Sequence, residues 1–228
     1  MAGRREIVLD LGGESVAGTV VDPAQPRGAG VLFVHGLGSD RSTNIERAQA
    51  LADTHGVTCL AIDLRGHGGS SGRLSEVTPT QNLADVVAAY DALAGQPGVD
   101  SARVGLCGAS YGAFLCVLVT AERDVARLLL RAPALYRDDV VASALGRRRL
   151  ADSTTAPTFV SALRAHQAPA LLVESERDEV IPHSVVQTYL AARPDMAHIV
   201  LPGASHALTD PSWRAAFERI VVEFFADL

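Results

Sequence analysis

Residues 104–116 read Val104-Gly105-Leu106-Cys107-Gly108-Ala109-Ser110-Tyr111-Gly112-Ala113-Phe114-Leu115-Cys116, and this order of apolar run, turn and apolar run decides the fold. The first run ends in a Gly-x-Ser-x-Gly turn, and a run with helical spacing begins directly behind it. A strand that feeds a helix through so sharp a turn holds its central serine in a strained backbone conformation. Glycines two residues away on either side leave room for neighbouring backbone. The turn lifts the Ser110 hydroxyl above the edge of a sheet and sets a helix N-terminus beneath it, where the amide of Tyr111 faces a developing negative charge. A serine that only caps a helix would use the same letters, so the reading rests on what the rest of the chain supplies.

Outward from this turn the same pattern recurs. Apolar runs at 30–34, 58–62, 103–107, 126–130, 170–173 and 199–201 lack polar alternation and are bounded by Gly, Pro, Asp or Ser, as in strands buried on both faces of a parallel sheet. Helical patterns at 44–54, 79–93, 111–121, 184–191 and 211–226 separate them. Leu83, Val86, Val87, Tyr90 and Leu93 share one helix face. This alternation predicts an α/β fold with right-handed crossovers onto a mostly parallel sheet flanked by helices. Residues 6–11 and 15–21, joined by Gly12-Gly13, predict an N-terminal hairpin. Residues 134–168 break the rhythm with helical excursions at 138–150 and 158–166; a small helical cap after the sixth strand or an ordinary long connection would each fit.

At 228 residues the chain suits one domain spanning 1–228, and 48% hydrophobic with 20% charged residues is globular composition. The longest apolar stretch, 113–119, is far below the roughly 20 residues that cross a bilayer. No sustained apolar segment follows Arg4 and Arg5, and Cys59, Cys107 and Cys116 sit in apolar surroundings that suit reduced thiols. Together these predict a cytoplasmic protein without membrane association. A net charge of -6 without a block of like charges argues against nucleic acid as a partner. The basic run at 147–149 reads as a solvated helix face. Oligomeric state leaves no signature.

A serine is a weak nucleophile near neutral pH and needs a base and a group to orient that base. Asp178 follows the run 170–173 in Glu174-Ser175-Glu176-Arg177-Asp178, and His206 follows the last run in Pro202-Gly203-Ala204-Ser205-His206. Both therefore fall in loops at the carboxyl ends of strands, where open α/β sheets bind ligands. Glu174 and Glu176 compete with Asp178 for the role of acid, and His67, His183 and His198 compete with His206 for that of base. A second oxyanion donor is expected after the first parallel strand, in Val34-His35-Gly36-Leu37-Gly38, from the amide of Leu37. His35 reads as a loop pin, as do Asp63 and Arg65 in the glycine-rich turn 63–70. A metal site at His35, Asp63 and His67 would need a ligand spacing such as His-Glu-x-x-His, which is absent. No metal and no cofactor are expected.

His-Gly-Leu-Gly at 35–38, Asp-Leu-Arg-Gly-His-Gly-Gly-Ser at 63–70, Gly-Ala-Ser-Tyr-Gly at 108–112 and the Asp178 and His206 loops together resemble the α/β-hydrolase superfamily. The compact size and the wording of the 65–72 turn are similar to cinnamoyl/feruloyl-type esterases and to small hydrolases related to the prolyl oligopeptidase and dienelactone hydrolase groups. The resemblance implies an eight-stranded, mostly parallel sheet with one antiparallel strand, and metal-free acyl-enzyme chemistry. Two departures count: dienelactone hydrolases carry cysteine where Ser110 stands, and no propeller domain restricts the entry of peptides. The expectation is a serine esterase acting on a small-molecule ester through Ser110, His206 and Asp178, with Tyr136 and Phe159 offered as pocket residues. A thioesterase, an amidase or peptidase, or a non-catalytic ligand-binding protein of the same fold are the alternatives.

Overall fold

The computed structural model describes residues 1–141 and 156–228. Residues 142–155, which hold most of the expected 138–150 helix and the basic run 147–149, lie outside the described residues. The chain opens with the hairpin β1 (Gly3–Asp10) and β2 (Ser15–Asp22). It continues through β3 (Gly28–Val34), α1 (Ser42–His55), β4 (Thr58–Ile62), α2 (Pro79–Ala94), β5 (Val99–Ala109) and α3 (Tyr111–Val119). The second half comprises β6 (Arg127–Arg131), α4 (Asp138–Val141), α5 (Pro157–Ala165), β7 (Ala170–Ser175), α6 (His183–Ala192), β8 (Ala197–Leu201) and α7 (Pro211–Phe224).

The eight strands form one sheet in the order β1-β2-β4-β3-β5-β6-β7-β8. Only β2 runs against its neighbours, pairing antiparallel with both β1 and β4; every pair from β4 to β8 is parallel. The eight-stranded, mostly parallel sheet is thus as expected. Its central strands are apolar on both faces because both are covered. Leu32, Val34, Leu60, Ile62, Leu106 and Leu130 point to the side of α2, α3, α5 and α6, whereas Val31, Phe33, Cys59, Ala61, Cys107 and Leu129 point to the side of α1 and α7. That alternation is the period of two inherent in a strand.

The helix starts are chemically marked. Thr78 accepts from the amide of Gln81 while the Gln81 side chain accepts from the Thr78 amide, with Pro79 in the first turn of α2. Asp210 accepts from the Ser212 amide ahead of α7, again with proline behind it. Each such cap contributes about 1 kcal/mol.

Three elements depart from the sequence reading. β5 starts at Val99 and not at 103, because an exposed half continues the extended backbone and pairs with Gly28 across an irregularity between Gly28 and Gly30. Hydrophobicity registers only its buried half. α3 ends at Val119 and not at 121, where the amides of Thr120 and Ala121 close tight turns onto Val117 and Leu118. β8 is not covered on both faces. It is the sheet edge, and its Ile199 and Val200 remain 38% and 42% exposed.

Candidate active site

The site is built from the turn that links β5 to α3. Ser110 has φ 51° and ψ −113°, a region that a residue with a Cβ enters at a cost of about 1–3 kcal/mol and keeps only where its surroundings hold it there. Those surroundings are explicit. The Ser110 amide donates to the Arg131 carbonyl at 2.8 Å, and the Ser110 carbonyl accepts from Ala113, Phe114 and Ala134 at 3.1, 3.2 and 3.1 Å. The flanking glycines are required by contact: a Cβ on Gly108 would lie 2.7 Å from the backbone of Ala113, and one on Gly112 would lie 2.4 Å from the Val34 carbonyl oxygen. Tyr111 is fully buried below, its hydroxyl donating to Asn82 Oδ1 at 3.0 Å.

The loops after β7 and β8 bring the imidazole and its carboxylate together. His206 Nδ1 lies 2.8 Å from Asp178 Oδ2 and 3.0 Å from Oδ1. An ionised carboxylate only accepts, so Nδ1 carries the proton and Nε2 is left with the basic lone pair. Asp178 also accepts from the amides of Val180 and Ile181 at 2.9 and 2.7 Å. Burial pushes its carboxyl upward, but the hydrogen bonds from His206, Ile181 and Val180 outweigh it and hold Asp178 below the ordinary carboxylate value. The other carboxylates of this loop are engaged elsewhere. Glu174 binds His183 at 2.6 Å and His198 at 2.9 Å, which also places both competing histidines away from Ser110. Glu176 accepts from the Gly203 amide at 2.6 Å.

Ser110 and His206 line one cavity of about 680 Å³, together with Gly36 and Leu37 from the loop after β3. That loop lies against the turn, a Cβ on Gly36 being 3.4 Å from Ser110 Cβ. Among the described residues the Leu37 amide meets no protein acceptor, and Leu37 lines the same cavity as the serine. His35 pins the loop: Nε2 accepts from the Leu64 amide at 3.0 Å, so Nδ1 is protonated and donates to the Gly36 carbonyl at 2.7 Å. Burial pushes its imidazole down to about 4, keeping the ring neutral. His67 Nε2 accepts from the Gly38 amide at 3.1 Å, and Asp63 accepts from the amides of Arg41 and Gly69, both at 2.7 Å. The ring nitrogens and carboxylate of His35, His67 and Asp63 are therefore spent on loop bonds. Arg65 donates to Asp85, fixing the same turn to α2.

The two proposed pocket residues are placed elsewhere. Phe159 is fully buried, stacked on Phe114 and edge-on to Tyr189, and Tyr136 packs edge-on against Tyr111 and Phe114. Aromatic rings next to an apolar helix such as α3 bury more area by joining its core than by facing water, and neither ring lines the Ser110 cavity.

Three arginines that the sequence reading did not single out, Arg47, Arg131 and Arg214, do line it. Arg131 ends β6 with 7% exposure and donates through Nη2 to Ser175 Oγ, to the Ser205 carbonyl and to the His206 carbonyl. Burial pushes its guanidinium down to about 10. A charge terminating an apolar strand at the ligand-binding edge was the available signal for Arg131; Arg47, inside α1, and Arg214, inside α7, had none.

The model of the family described as serine aminopeptidase, S33, matches residues 24–158 of the chain. The chain belongs to this family of α/β hydrolases. The chain is similar to the uncharacterized protein Rv2307c of Mycobacterium tuberculosis, 34% identical over 213 residues that cover 90% of this chain and 73% of that one. Among solved structures the hydrolase is similar to Est1E from Butyrivibrio proteoclasticus with ferulic acid bound, at 18% identity and a TM-score of 0.78, covering 96% of this chain and 97% of the other. It is also similar to the thioesterase domain from the curacin biosynthetic pathway, at 17% identity and a TM-score of 0.75, with 97% and 99% covered. At such identities these two likenesses concern the fold. Among the described residues, no helix is long and apolar enough to cross a membrane.

Proposed function

We propose that this hydrolase cleaves carboxylic esters of small molecules through an acyl-enzyme intermediate on Ser110, with His206 as general base and Asp178 as the orienting acid. The observation that carries the reading is the Asp178–His206 pair, closed at 2.8 Å on Nδ1, beside a serine held at φ 51° in the same cavity as Nε2-bearing His206. His206 Nε2 takes the proton as the Ser110 oxygen attacks the acyl carbon, then returns it to the departing alcohol. A water molecule, deprotonated in the same way, forms the acid and restores the serine. Asp178 stays ionised throughout and stabilises the imidazolium. The amides of Leu37 and Tyr111 face the oxyanion, each such donor contributing about 2.7–4 kcal/mol in comparable sites.

The structure of Est1E with ferulic acid supports an ester as the substrate by likeness of fold, and the three free, buried cysteines suit a reducing cytoplasm. On this reading 1–228 is one domain, and 134–168 is where a small cap would sit. The test is labelling by a fluorophosphonate, compared between the unaltered chain and Ser110→Ala, together with hydrolysis of p-nitrophenyl esters of graded acyl length. Labelling that depends on Ser110, with rates on esters above those on matched thioesters and anilides, is the expected result. A chain that neither labels nor turns over any ester would be a non-catalytic member of the fold, and faster thioester or anilide cleavage would reassign the acyl class.

A further inference from the structure

Three arginines from three separate elements wall the Ser110 cavity: Arg47 of α1, Arg131 at the end of β6 and Arg214 of α7. Among the described residues none of them has a carboxylate within 4.0 Å. Elsewhere the protein neutralises its sequestered guanidinium groups, Arg65 on Asp85 and Arg41 on Asp63. Around this cavity the partners are neutral. Arg131 Nη2 uses Ser175 Oγ and the carbonyls of Ser205 and His206, while its Nε is buried without any hydrogen-bond partner. Arg47 donates to the Thr43 carbonyl and lies over the Phe217 ring at 5.0 Å, and its Nε is likewise buried and unpartnered. Arg214 donates to the carbonyl of Thr209 at 2.8 Å.

Carboxylates are not far away. Glu46 and Glu218 stand on the same wall and act on Arg47 through space, as Asp178 and Glu179 act on Arg131. Asp178, however, is committed to His206, and Glu179 to the His206 amide at 3.2 Å. A partly buried guanidinium without a paired carboxylate costs free energy that an anion in the adjacent cavity would offset, because the opposite charge replaces part of the solvation lost on burial.

We propose that the substrate of this site carries, besides its scissile ester, an anionic oxygen group, a carboxylate or a phosphate, that seats against Arg47 and Arg131 with Arg214 at the rim. This rests on the ester-hydrolase reading for the chemistry at Ser110 but adds what holds the rest of the molecule. Planar guanidinium groups match the paired oxygens of either anion. A neutral acyl chain would leave the arginines as they are, with nothing gained.

Two matched series separate the sources of charge: monomethyl adipate and pimelate against methyl hexanoate and heptanoate, and 1-butyrylglycerol 3-phosphate against 1-butyrylglycerol. Preference for the charged member, read as a ratio of kcat/KM of about tenfold or more, is expected in at least one series. Arg47→Met and, independently, the exposed-site change Arg214→Met should each lower that ratio. A preference in the first series assigns a carboxylate, in the second a phosphate. No preference in either, or a preference that neither substitution lowers, overturns the proposal. Calorimetry of pimelate and of inorganic phosphate on Ser110→Ala keeps this apart from the chemistry. Anion binding weakened by Arg47→Met upholds the anion site even if Ser110 never labels, whereas labelling of Ser110 without charge preference leaves the esterase and removes the anion site.

Discussion

The guanidinium of Arg131 donates to the main-chain oxygen of His206, while the carbonyl of the same Arg131 accepts the amide of Ser110. One residue at the end of β6 thus touches both loops on which the proposed chemistry depends, although 75 positions separate it from the histidine. Arg131 acts here as a positioning residue. On a neutral methyl ester, Arg131→Met is expected to lower kcat by about 10–100-fold with KM little changed, because a displaced imidazole loses its alignment with the hydroxyl before it loses substrate. Arg131→Lys, which keeps a donor in place, should lose less. An equal fall in both variants, or a fall confined to KM, would contradict the positioning role.

Asp178→Asn should reduce kcat on the order of 10⁴-fold while the fold persists, since the amide favours the wrong tautomer of His206. The same carboxyl links stability to acid. Its folded value lies below the ordinary one, so the stabilisation is complete above about pH 5 and disappears as pH falls through the ordinary value of 3.8 and then the depressed one. Urea unfolding between pH 6 and pH 3 checks this: the lowest part of the acid limb should be shallower in Asp178→Asn than in the unaltered chain.

His35 predicts a second, higher window. Its imidazole is held at about 4 against an ordinary value of 6.5, so the unfolded chain takes up a proton there that the folded chain refuses. Stability is then complete above about pH 7 and falls by roughly 3 kcal/mol on the way to pH 4. Burial also pushes the His166 imidazole down to about 4, so in His35→Gln the slope across this window should fall by about half and not vanish, and a slope unchanged from the parent would show that other groups set the acid limb.

Gly112→Ala is expected to destabilise the protein by about 3 kcal/mol or more, since a methyl group 2.4 Å from the Val34 carbonyl oxygen forces β3 and α3 apart. Thermal unfolding measures it. Gly36→Ala is the comparison, because its methyl would meet Ser110 Cβ at an ordinary 3.4 Å. Stability should change far less there, and equal losses at the two positions would remove close packing as the explanation.

Much of this was legible in the linear chain because its signals are local. The turn at 108–112 is written in adjacent residues, and the apolar runs that became β3, β4, β6 and β7 have no polar alternation to confuse their reading. Where the signal was not local the reading failed. The exposed half of β5 has no hydrophobic mark, β8 reads as interior although it forms the edge, and Tyr136 and Phe159 carry nothing in their neighbours to say that they pack on Phe114 and not against a ligand. The choice among Glu174, Glu176 and Asp178 was likewise open, since three carboxylates in one loop differ only in where the folded loop aims them.

The sequence by itself determined the α/β alternation, the strained serine turn and the order of Ser110, then the acidic loop 174–178, then His206, because spacing and residue type suffice to set strand, turn and helix. Tertiary structure alone decided that Asp178 and not its neighbours meets His206 Nδ1, that Glu174 is taken by His183 and His198, and that Arg47, Arg131 and Arg214 converge on one cavity. Those outcomes depend on distances between segments far apart in the chain, which only the packing of helices on the sheet fixes.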